Sequence, residues 1–377
     1  MQNSIEQKNL TVSVLLDLSK AFDTIDHNIL LTKLDNYGVR GIALEWFRSY
    51  LSDRSQHVSY KGTNSDSLFI SCGVPQGSVL GPLLFIIYTN DLPNSLKHSQ
   101  CVLFADDTTV YKSSGNIHDA ITSIESDLEH LYDWFCANKL SLNVGKTNFI
   151  IFSPRPDINL PETIKLGANN IHRVNCAKFL GVYIDDELEW DQHIKYVSSK
   201  LNSGCYAINS VKRILPLHNL KQLYYSLFHS HITYGTTLWG SAYKYKLKKI
   251  EVAQNKSIRN ICNAPYNAHT SILYKKLNIP KLHDIYQIQL GKFMFDYSKS
   301  SLPPPLQSLF TPNKDIHNHN TRNTNNPHIL SRTFSASKSF LHQCPKLWSS
   351  LPTNIKSSKT SKAFSQNIKS YFTNSYS

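Results

Sequence analysis

The chain has 377 residues, 41% of them hydrophobic, which is enough to bury the cores of two or three domains. No apolar run reaches the roughly 18 residues of a membrane span, and the first residues lack the apolar core of a signal peptide. The sequence therefore argues against a membrane protein and predicts an intracellular one, nuclear or cytoplasmic rather than secreted.

The formal net charge of +13 is unevenly distributed along the chain. Residues 1–194 contain 15 Lys and Arg against 23 Asp and Glu, whereas residues 195–377 contain 25 against 4. The basic second half predicts a polyanionic partner such as nucleic acid. A lysine-rich surface that only keeps the protein soluble is the alternative.

The first predicted element is a buried strand at residues 11–16 (TVSVLL), which places Asp17 at its end. Apolar residues at helical spacing then predict two helices, at residues 25–37 and 42–51. A hairpin is predicted around residues 61–67, where polar residues separate two short runs.

A Gly- and Pro-rich segment, residues 73–82, opens a strongly apolar helix. Two short β-rich runs follow at residues 101–104 and 108–111. They predict a hairpin that carries Asp106 and Asp107 at its tip.

An amphipathic helix at residues 117–135 and strands at residues 149–152 and 178–184 complete the first half of the chain. The order is strand, helices, hairpin, helix, strand. It predicts the α+β class, with helices backing an antiparallel sheet.

Three acids lie where predicted strands end, namely Asp17, Asp106 and Asp107. They can converge on one side of the sheet. Carboxylates suit Mg²⁺, which keeps several waters and takes further ligands from substrate phosphates. Two such ions about 3.5 to 4 Å apart promote in-line displacement at phosphorus, which is polymerase chemistry. Taken alone, an Asp-Asp pair is more simply explained as an ordinary turn.

Five segments carry a shared pattern of motifs: residues 15–27 (LLDLSKAFDTIDH), 73–85 (GVPQGSVLGPLLF), 103–107 (LFADD), 140–147 (LSLNVGKT) and 179–194, which begins FLGVYID. In the same order, they resemble motifs A to E of non-LTR (LINE-type) retrotransposon reverse transcriptases. The resemblance implies a reverse transcriptase palm followed by a mostly helical thumb and carboxy-terminal region.

The resemblance implies that Asp17 and Asp106 are the principal metal ligands, with Asp107 beside them, and that two Mg²⁺ ions bind there, with Mn²⁺ as a possible substitute. Phe22 aligns with the aromatic position under the incoming sugar, where a ring excludes a 2′-hydroxyl. The alternative for Phe22 is a plain core phenylalanine.

Gln76 and Gly77 are expected to line the nucleotide pocket, since the amide offers hydrogen bonds and the glycine permits a close backbone approach. Lys146 resembles the motif D lysine, which neutralises or protonates departing pyrophosphate. A solvated loop lysine is the alternative for Lys146.

Lys244, Lys246, Lys248 and Lys249 are predicted to bind nucleic-acid phosphates, while the tyrosines among them stack on bases. A solvated helix face is the alternative. We predict structural roles for the remaining polar residues of these motifs. Asp23, Asp26 and His27 fit a helix start, and His193 fits packing or a phosphate contact.

The resemblance and the composition of the second half together predict four parts. They are a palm with truncated fingers at residues 1–186, a helical thumb-like basic region at 187–300, a polar linker or loop at 301–338 and a small carboxy-terminal module at 339–377. Only about ten residues precede the motif A strand. We therefore expect the fingers and an upstream endonuclease to be missing from this chain.

The function implied is an RNA-directed DNA polymerase that adds deoxynucleotides to a primer 3′-hydroxyl. Its partners would be an RNA template, a DNA primer or target DNA, and deoxynucleoside triphosphates, without a membrane; the oligomeric state stays open. The first alternative is a catalytically inactive, truncated nucleic-acid-binding remnant of that enzyme. A metal-dependent nuclease is the second.

Overall fold

The structure is a computed structural model that describes residues 4, 7–154, 160–312 and 339–376. The chain forms two compact units, Asn3–Leu180 (unit 1) and Gly181–Ser377 (unit 2). The sequence placed the corresponding division after residue 186. The earlier position follows from packing, because Val182 already belongs to the helical core of unit 2.

Unit 1 contains eleven strands and four α-helices within the described residues. The strands are β1 (Leu10–Leu16), β2 (Ser55–Gln56), β3 (Ser59–Tyr60), β4 (Thr63–Asn64), β5 (Leu68–Phe69), β6 (Gln100–Phe104), β7 (Asp107–Ser114), β8 (Asn148–Phe152), β9 (Thr163–Leu166), β10 (Asn169–Arg173) and β11 (Cys176–Phe179). The helices are α1 (His27–Asn36), α2 (Ile42–Leu51), α3 (Leu80–Thr89) and α4 (Ile117–Ala137).

Six strands form the main sheet of unit 1, in the order β6-β7-β1-β8-β10-β9. All neighbouring pairs are antiparallel except β8 and β10. One face of β1 carries Val12, Val14 and Leu16 into a core that also contains Leu84 of α3 and Leu128 of α4. The helices therefore cover one face of a mostly antiparallel sheet, which confirms the predicted α+β class.

The predicted local elements of unit 1 are present, with shifted boundaries. Helix α1 begins at His27 rather than at residue 25, because the Asp26 side chain accepts hydrogen bonds from the first free N–H groups and caps the helix. The hairpin around residues 61–67 is a nested pair, in which β3 pairs with β4 and β2 pairs with β5.

The single strand predicted at residues 178–184 is interrupted after Phe179. Leu180 and Gly181 both adopt positive φ, +46° and +83°. This left-handed backbone cannot continue a strand. The pattern KFLGVYI therefore corresponds to two short strands, β11 and β12 (Val182–Asp185).

Unit 2 is mainly helical. Its α-helices are α5 (Asp191–Val211), α6 (Leu217–Tyr224), α7 (Ser230–Thr233), α8 (Thr236–Trp239), α9 (Lys244–Ile261), α10 (Thr270–Leu277), α11 (Leu282–Ser298), α12 (Pro304–Gln307), α13 (Phe340–Ser350), α14 (Thr353–Lys356) and α15 (Ser361–Asn374). A π-helical segment, Tyr225–His229, joins α6 to α7.

The last helices of unit 2 pack against α11. Phe295 of α11 stacks on Phe364 of α15 with ring centroids 4.5 Å apart, and Trp348 of α13 lies in the same buried cluster. The small module predicted at residues 339–377 packs on α11 in this second buried cluster and belongs to unit 2.

The linker predicted at residues 301–338 is only partly described. Residues 301–312 contain the short helix α12, and residues 313–338 lie outside the described residues. Among the helices that the structure describes, none combines the length and the apolar character required to cross a membrane.

Candidate active site

Asp17 lies at the end of β1 on the face of the sheet opposite the core. Side chains alternate along a strand, and Leu16 is buried in the core while the Asp17 side chain is 41% exposed. Because side chains alternate along β1, the acid at its end places its carboxylate on the side of the sheet that the helices do not cover.

Asp106 and Asp107 lie at the turn of the β6–β7 hairpin, as predicted. Asp107 pairs with Phe104, so Ala105 and Asp106 form a two-residue loop, and Ala105 has a left-handed φ of +51°. The register of β1 and β7 pairs Leu16 with Thr108. Continued by one residue, this antiparallel register sets Asp17 opposite Asp107.

The three carboxylates interact electrostatically. Burial raises the pKa of Asp107 above its usual range, and the negative charges of Asp106 and Asp17 raise it further. A nearby negative charge has this effect because it disfavours the ionised carboxylate. The raised pKa of Asp107 is thus the electrostatic consequence of the strand register that brings the acids together.

The chemistry of these acids fits Mg²⁺. Within residues 7–154, 160–312 and 339–376, no group of three or more His, Cys, Asp or Glu side chains is arranged to hold a metal ion. Mg²⁺ is commonly bound through one or two carboxylates, with waters and substrate phosphates completing its shell. Asp17 and Asp107 supply hard oxygen donors of that kind, while the full three-carboxylate assignment stays a prediction.

A loop before β8 holds the backbone of Asp17. The Asp17 N–H donates to Thr147 Oγ1 at 3.2 Å, and the Asn143 N–H donates to the Asp17 carbonyl at 2.8 Å. The same loop places Lys146 Nζ 4.0 Å from Asp17 Oδ2, with the lysine side chain 72% exposed. Lys146 is thus adjacent to the acids and accessible to a ligand.

Phe22 lies between the core and the surface. Its ring is 4.7 Å from that of Phe85 in α3, with an interplanar angle of 32°, and its side chain is only partly buried. Both interpretations of Phe22 are compatible with this position, because one side of the ring packs in the core while part of it stays accessible.

The segment at residues 72–77 is anchored to the turn after β1. The Gln76 amide donates to Asp23 Oδ1 at 2.7 Å, and the Val74 N–H donates to the Phe22 carbonyl at 2.9 Å. Gly77 is exposed with φ +81°. The predicted helix-start role of Asp23 is wrong, because Asp26 caps the helix and the Asp23 carboxylate accepts the hydrogen bond from Gln76.

Asp26 and His27 have the structural roles that the sequence predicted. Asp26 accepts from the Ile29 N–H at 3.0 Å and pairs with Lys139 at 2.6 Å. The hydrogen bond from Lys139, followed by that from Ile29, lowers the pKa of Asp26. His27 Nε2 donates to the Gly73 carbonyl at 2.7 Å, which ties α1 to the same segment as Gln76.

Residues 2–184 match the family model for reverse transcriptase (RNA-dependent DNA polymerase). These residues are a reverse transcriptase domain. The match spans the β1 acid, the β6–β7 hairpin and the Lys146 loop, so the acids that converge by strand register lie inside it.

The chain is also similar to polymerases of mobile elements. It is 29% identical over 303 residues to the RNA-directed DNA polymerase from mobile element jockey of Drosophila melanogaster, covering 77% of this chain and 32% of the relative. It is 28% identical over 289 residues to the probable RNA-directed DNA polymerase from transposon X-element of the same fly, covering 74% and 31%. This homology confirms the resemblance to non-LTR retrotransposon polymerases, although the chain spans about a third of the relatives' length.

Among solved structures, apo telomerase from Candida tropicalis shows 13% identity and a TM-score of 0.37, over 75% of this chain and 48% of that chain.

The reverse transcriptase domain also exposes apolar side chains beside its acids. Cross-strand pairing puts Phe104 next to Asp107 and Val102 next to Thr109, and Phe104 and Val102 are 61% and 43% exposed. The alternation of β6 indicated one outward face, but sequence analysis did not connect that face to the acids.

Outside the reverse transcriptase domain, three of the four predicted phosphate-binding lysines are exposed on α9: Lys244, Lys248 and Lys249. Lys246 requires a correction. Its side chain is 5% exposed and pairs with Glu189 and with Asp191, the latter at 2.9 Å. Burial favours a lower pKa, but the two acids together raise the pKa of Lys246. Lys246 is therefore a structural ion-pair residue.

His193 of unit 2 has a packing role, in line with the first of the two interpretations. It is buried at 2% exposure, and its ring lies 5.5 Å from that of Trp239. Its Nδ1 accepts from the Tyr183 N–H at 3.4 Å, and burial lowers its pKa to about 4. The ring is therefore neutral near pH 7.

Proposed function

We propose that this chain is an RNA-directed DNA polymerase of a non-LTR retrotransposon that adds deoxynucleotides to a primer 3′-hydroxyl. The observation that carries the proposal is the β1–β7 register. It sets Asp17 opposite Asp107, beside the Asp106 turn, within a reverse transcriptase domain. The partners are an RNA template, a DNA primer or target DNA, and deoxynucleoside triphosphates.

Asp17 and Asp106 would hold two Mg²⁺ ions, or Mn²⁺, with Asp107 beside them. When bound, such ions would favour attack by the primer hydroxyl and stabilise the leaving oxygen. The backbone contacts from Asn143 and Thr147 fix the direction of Asp17. This fixed backbone keeps the Asp17 carboxylate oriented before substrate arrives.

The neighbouring residues are assigned to the nucleotide. Lys146, 4.0 Å from the Asp17 carboxylate, would neutralise the departing pyrophosphate. Phe22, braced by Phe85, would present its accessible edge to the sugar. Gln76 is held by Asp23 and, with the exposed Gly77, would line the nucleotide pocket.

The exposed lysines of α9, which are Lys244, Lys248 and Lys249, are assigned to nucleic-acid phosphates. Tyr245 is 71% exposed beside them and offers a stacking surface. The protein would act inside the cell, in the nucleus or cytoplasm.

Primer extension tests the polymerase activity. Wild-type chain, Asp106→Asn and Asp66→Asn are incubated with poly(rA), oligo(dT), labelled dTTP and Mg²⁺. Asp66 is an exposed acid in the nested hairpin and serves as the matched control. Extension by the wild type and Asp66→Asn but not by Asp106→Asn is expected. Equal extension by all three would overturn the assignment of Asp106.

A catalytically inactive nucleic-acid-binding remnant is the second candidate. It is favoured by the exposed Lys244, Lys248 and Lys249 of α9, which can bind phosphates whether or not the acids catalyse a reaction. It predicts that none of the chains extends the primer while all bind the template with the same salt dependence. Cleavage of the template without extension would instead favour a nuclease.

A further inference from the structure

Helices α11 and α15 of unit 2 border a cavity of about 260 Å³ with one face each. Each helix contributes four residues at spacing i, i+3, i+4 and i+7, which places them on one side of the helix. The contributing residues are Ile285, Ile288, Gln289 and Lys292 from α11, and Lys362, Ser365, Gln366 and Lys369 from α15. We call this cavity the lysine pocket.

The charge of the lysine pocket is uncompensated. Lys292, Lys362 and Lys369 line it, and none of the described lining residues is acidic. Across the described parts of the chain, none of these three lysines forms an ion pair with a carboxylate. The sequence contains no Asp or Glu after Asp315, so α15 cannot supply a counter-charge.

The lining of the pocket includes both ends of the π-helical segment, Tyr225 and His229. Lys369 Nζ donates to the Tyr225 hydroxyl at 3.3 Å. His229 Nδ1 is buried without a hydrogen-bond partner. Segments of π-helix are rare and often occur at functional sites, and a buried polar atom without a partner calls for one.

The electrostatics of His229 are consistent with an anion site. Burial lowers the pKa of His229 to about 4, and the positive charges of Lys369 and Lys292 contribute to the lowering. A bound anion would offset those charges.

A second cavity of unit 2 shows the contrast. It is lined by Lys281 together with Glu251 and Asp284. There the Tyr376 hydroxyl donates to Asp284 and accepts from the Lys281 N–H at 2.9 Å. Its lining carries both positive and negative side chains, whereas the lining of the lysine pocket carries positive ones and no acid.

We propose that the lysine pocket binds phosphate groups of a single-stranded nucleic-acid backbone. Lysine ammonium groups supply the point charges that phosphate oxygens need, while the Gln289 and Gln366 amides can donate further hydrogen bonds. Lys362 and Lys369 are about 10.5 Å apart along α15, at 1.5 Å per residue, so they can reach different phosphates of one strand. The choice of nucleic acid over free phosphate or pyrophosphate rests on the proposed function. The affinity of the pocket for phosphate groups is argued from its own lysines and amides and does not depend on that function.

Salt-dependent binding of a fluorescent 12-nucleotide oligo(U) tests the proposal. The full chain is compared with Lys292→Gln/Lys362→Gln/Lys369→Gln and with Lys195→Gln/Lys346→Gln/Lys359→Gln. The control triple removes the same charge from exposed lysines outside the pocket. Each phosphate contact to a single strand contributes about 0.7 to the slope of log affinity against log salt. The magnitude of this slope should therefore fall by about 2 in the variant with three pocket lysines replaced. In the control variant it should fall much less.

Calorimetric titration with pyrophosphate, in the absence of nucleic acid, separates the two phosphate sources. If the pocket triple loses pyrophosphate binding while its oligo(U) slope matches the control, the nucleic-acid assignment is overturned in favour of a free anion. Equal behaviour of both triples toward both ligands overturns the site altogether. Binding of oligo(U) needs no dNTP or divalent metal and is measured in the absence of both. Failure of polymerase activity therefore remains distinguishable from failure of this proposal.

Discussion

Replacing Gly73 by alanine should push apart the turn at Asp23 and the segment at residues 72–77, which together position Gln76. Gly73 adopts φ +87°, and a Cβ built on it would lie 2.8 Å from the Asp23 carbonyl oxygen and 2.9 Å from its carbonyl carbon. Both contacts involve backbone, so no side-chain rotation relieves them. Either the turn at Asp23 or the segment that carries Gln76 has to move.

The size of the effect follows from two costs. A left-handed backbone costs a residue with a Cβ roughly 1–2 kcal/mol, and forced overpacking with backbone displacement typically costs roughly 1–3 kcal/mol. Gly77, at φ +81°, has no atom within 4 Å of a built Cβ, so it carries the first cost without the second. We expect Gly77→Ala to destabilise unit 1 by about 1–2 kcal/mol and Gly73→Ala by about 2–5 kcal/mol.

The free energies of unfolding of the Gly73→Ala and Gly77→Ala variants are measured in urea. Amide hydrogen exchange of peptides from β1 and α3 reports the unfolding of unit 1 within the full chain. Gly38→Ala is a further control outside the site, because Gly38 follows α1 at φ +92° with open space around a Cβ. The reasoning is refuted if Gly73→Ala destabilises unit 1 no more than Gly77→Ala and Gly38→Ala do.

Three further predictions concern buried polar groups. Lys246→Met should destabilise unit 2 by about 1–3 kcal/mol in urea unfolding, because two acids lose their partner, whereas the exposed Lys249→Met should change it by less than about 0.5 kcal/mol. Asp127→Asn should destabilise unit 1 by about 1–3 kcal/mol, since the carboxylate accepts three backbone N–H groups; no change would refute that role. The free energy of unfolding of unit 2 should fall as pH drops from about 6.5 toward 4, because unfolded His193 binds a proton that the folded ring, with a pKa of about 4, does not. His193→Gln should reduce this pH dependence, and an unchanged slope would contradict it.

The parts of the site that the sequence could predict rest on local signals. A β-rich run that ends in Asp17, and two runs around Asp106 and Asp107, determine where strands end and turn. The Asp26 cap is equally local, because its carboxylate contacts N–H groups two and three residues ahead. Alternation along β1 then decides which face the Asp17 side chain occupies.

The parts that the sequence missed depend on contacts distant in the chain. Gln76 meets Asp23 across 53 residues and Lys246 meets Asp191 across 55, and no periodicity indicates such pairs. One signal for Lys246 was nevertheless available, because it shares a helix face with Ile250 and Ala253, which are buried. A lysine at that spacing predicts a buried partner rather than a phosphate contact.

The acids themselves show why composition alone could not identify the site. Asp106 and Asp107 in a turn would cost little if they were isolated in water, because solvent screens their repulsion. The β1–β7 register adds Asp17 to the same place, and the pKa of Asp107 rises, with burial and both neighbouring charges contributing. The described ion pairs to these acids are limited to Lys146, at 4.0 Å from Asp17 and largely exposed. Nearby cationic side chains therefore do little to relieve the repulsion among the three carboxylates. Such a cluster suits a divalent cation that arrives with a nucleotide.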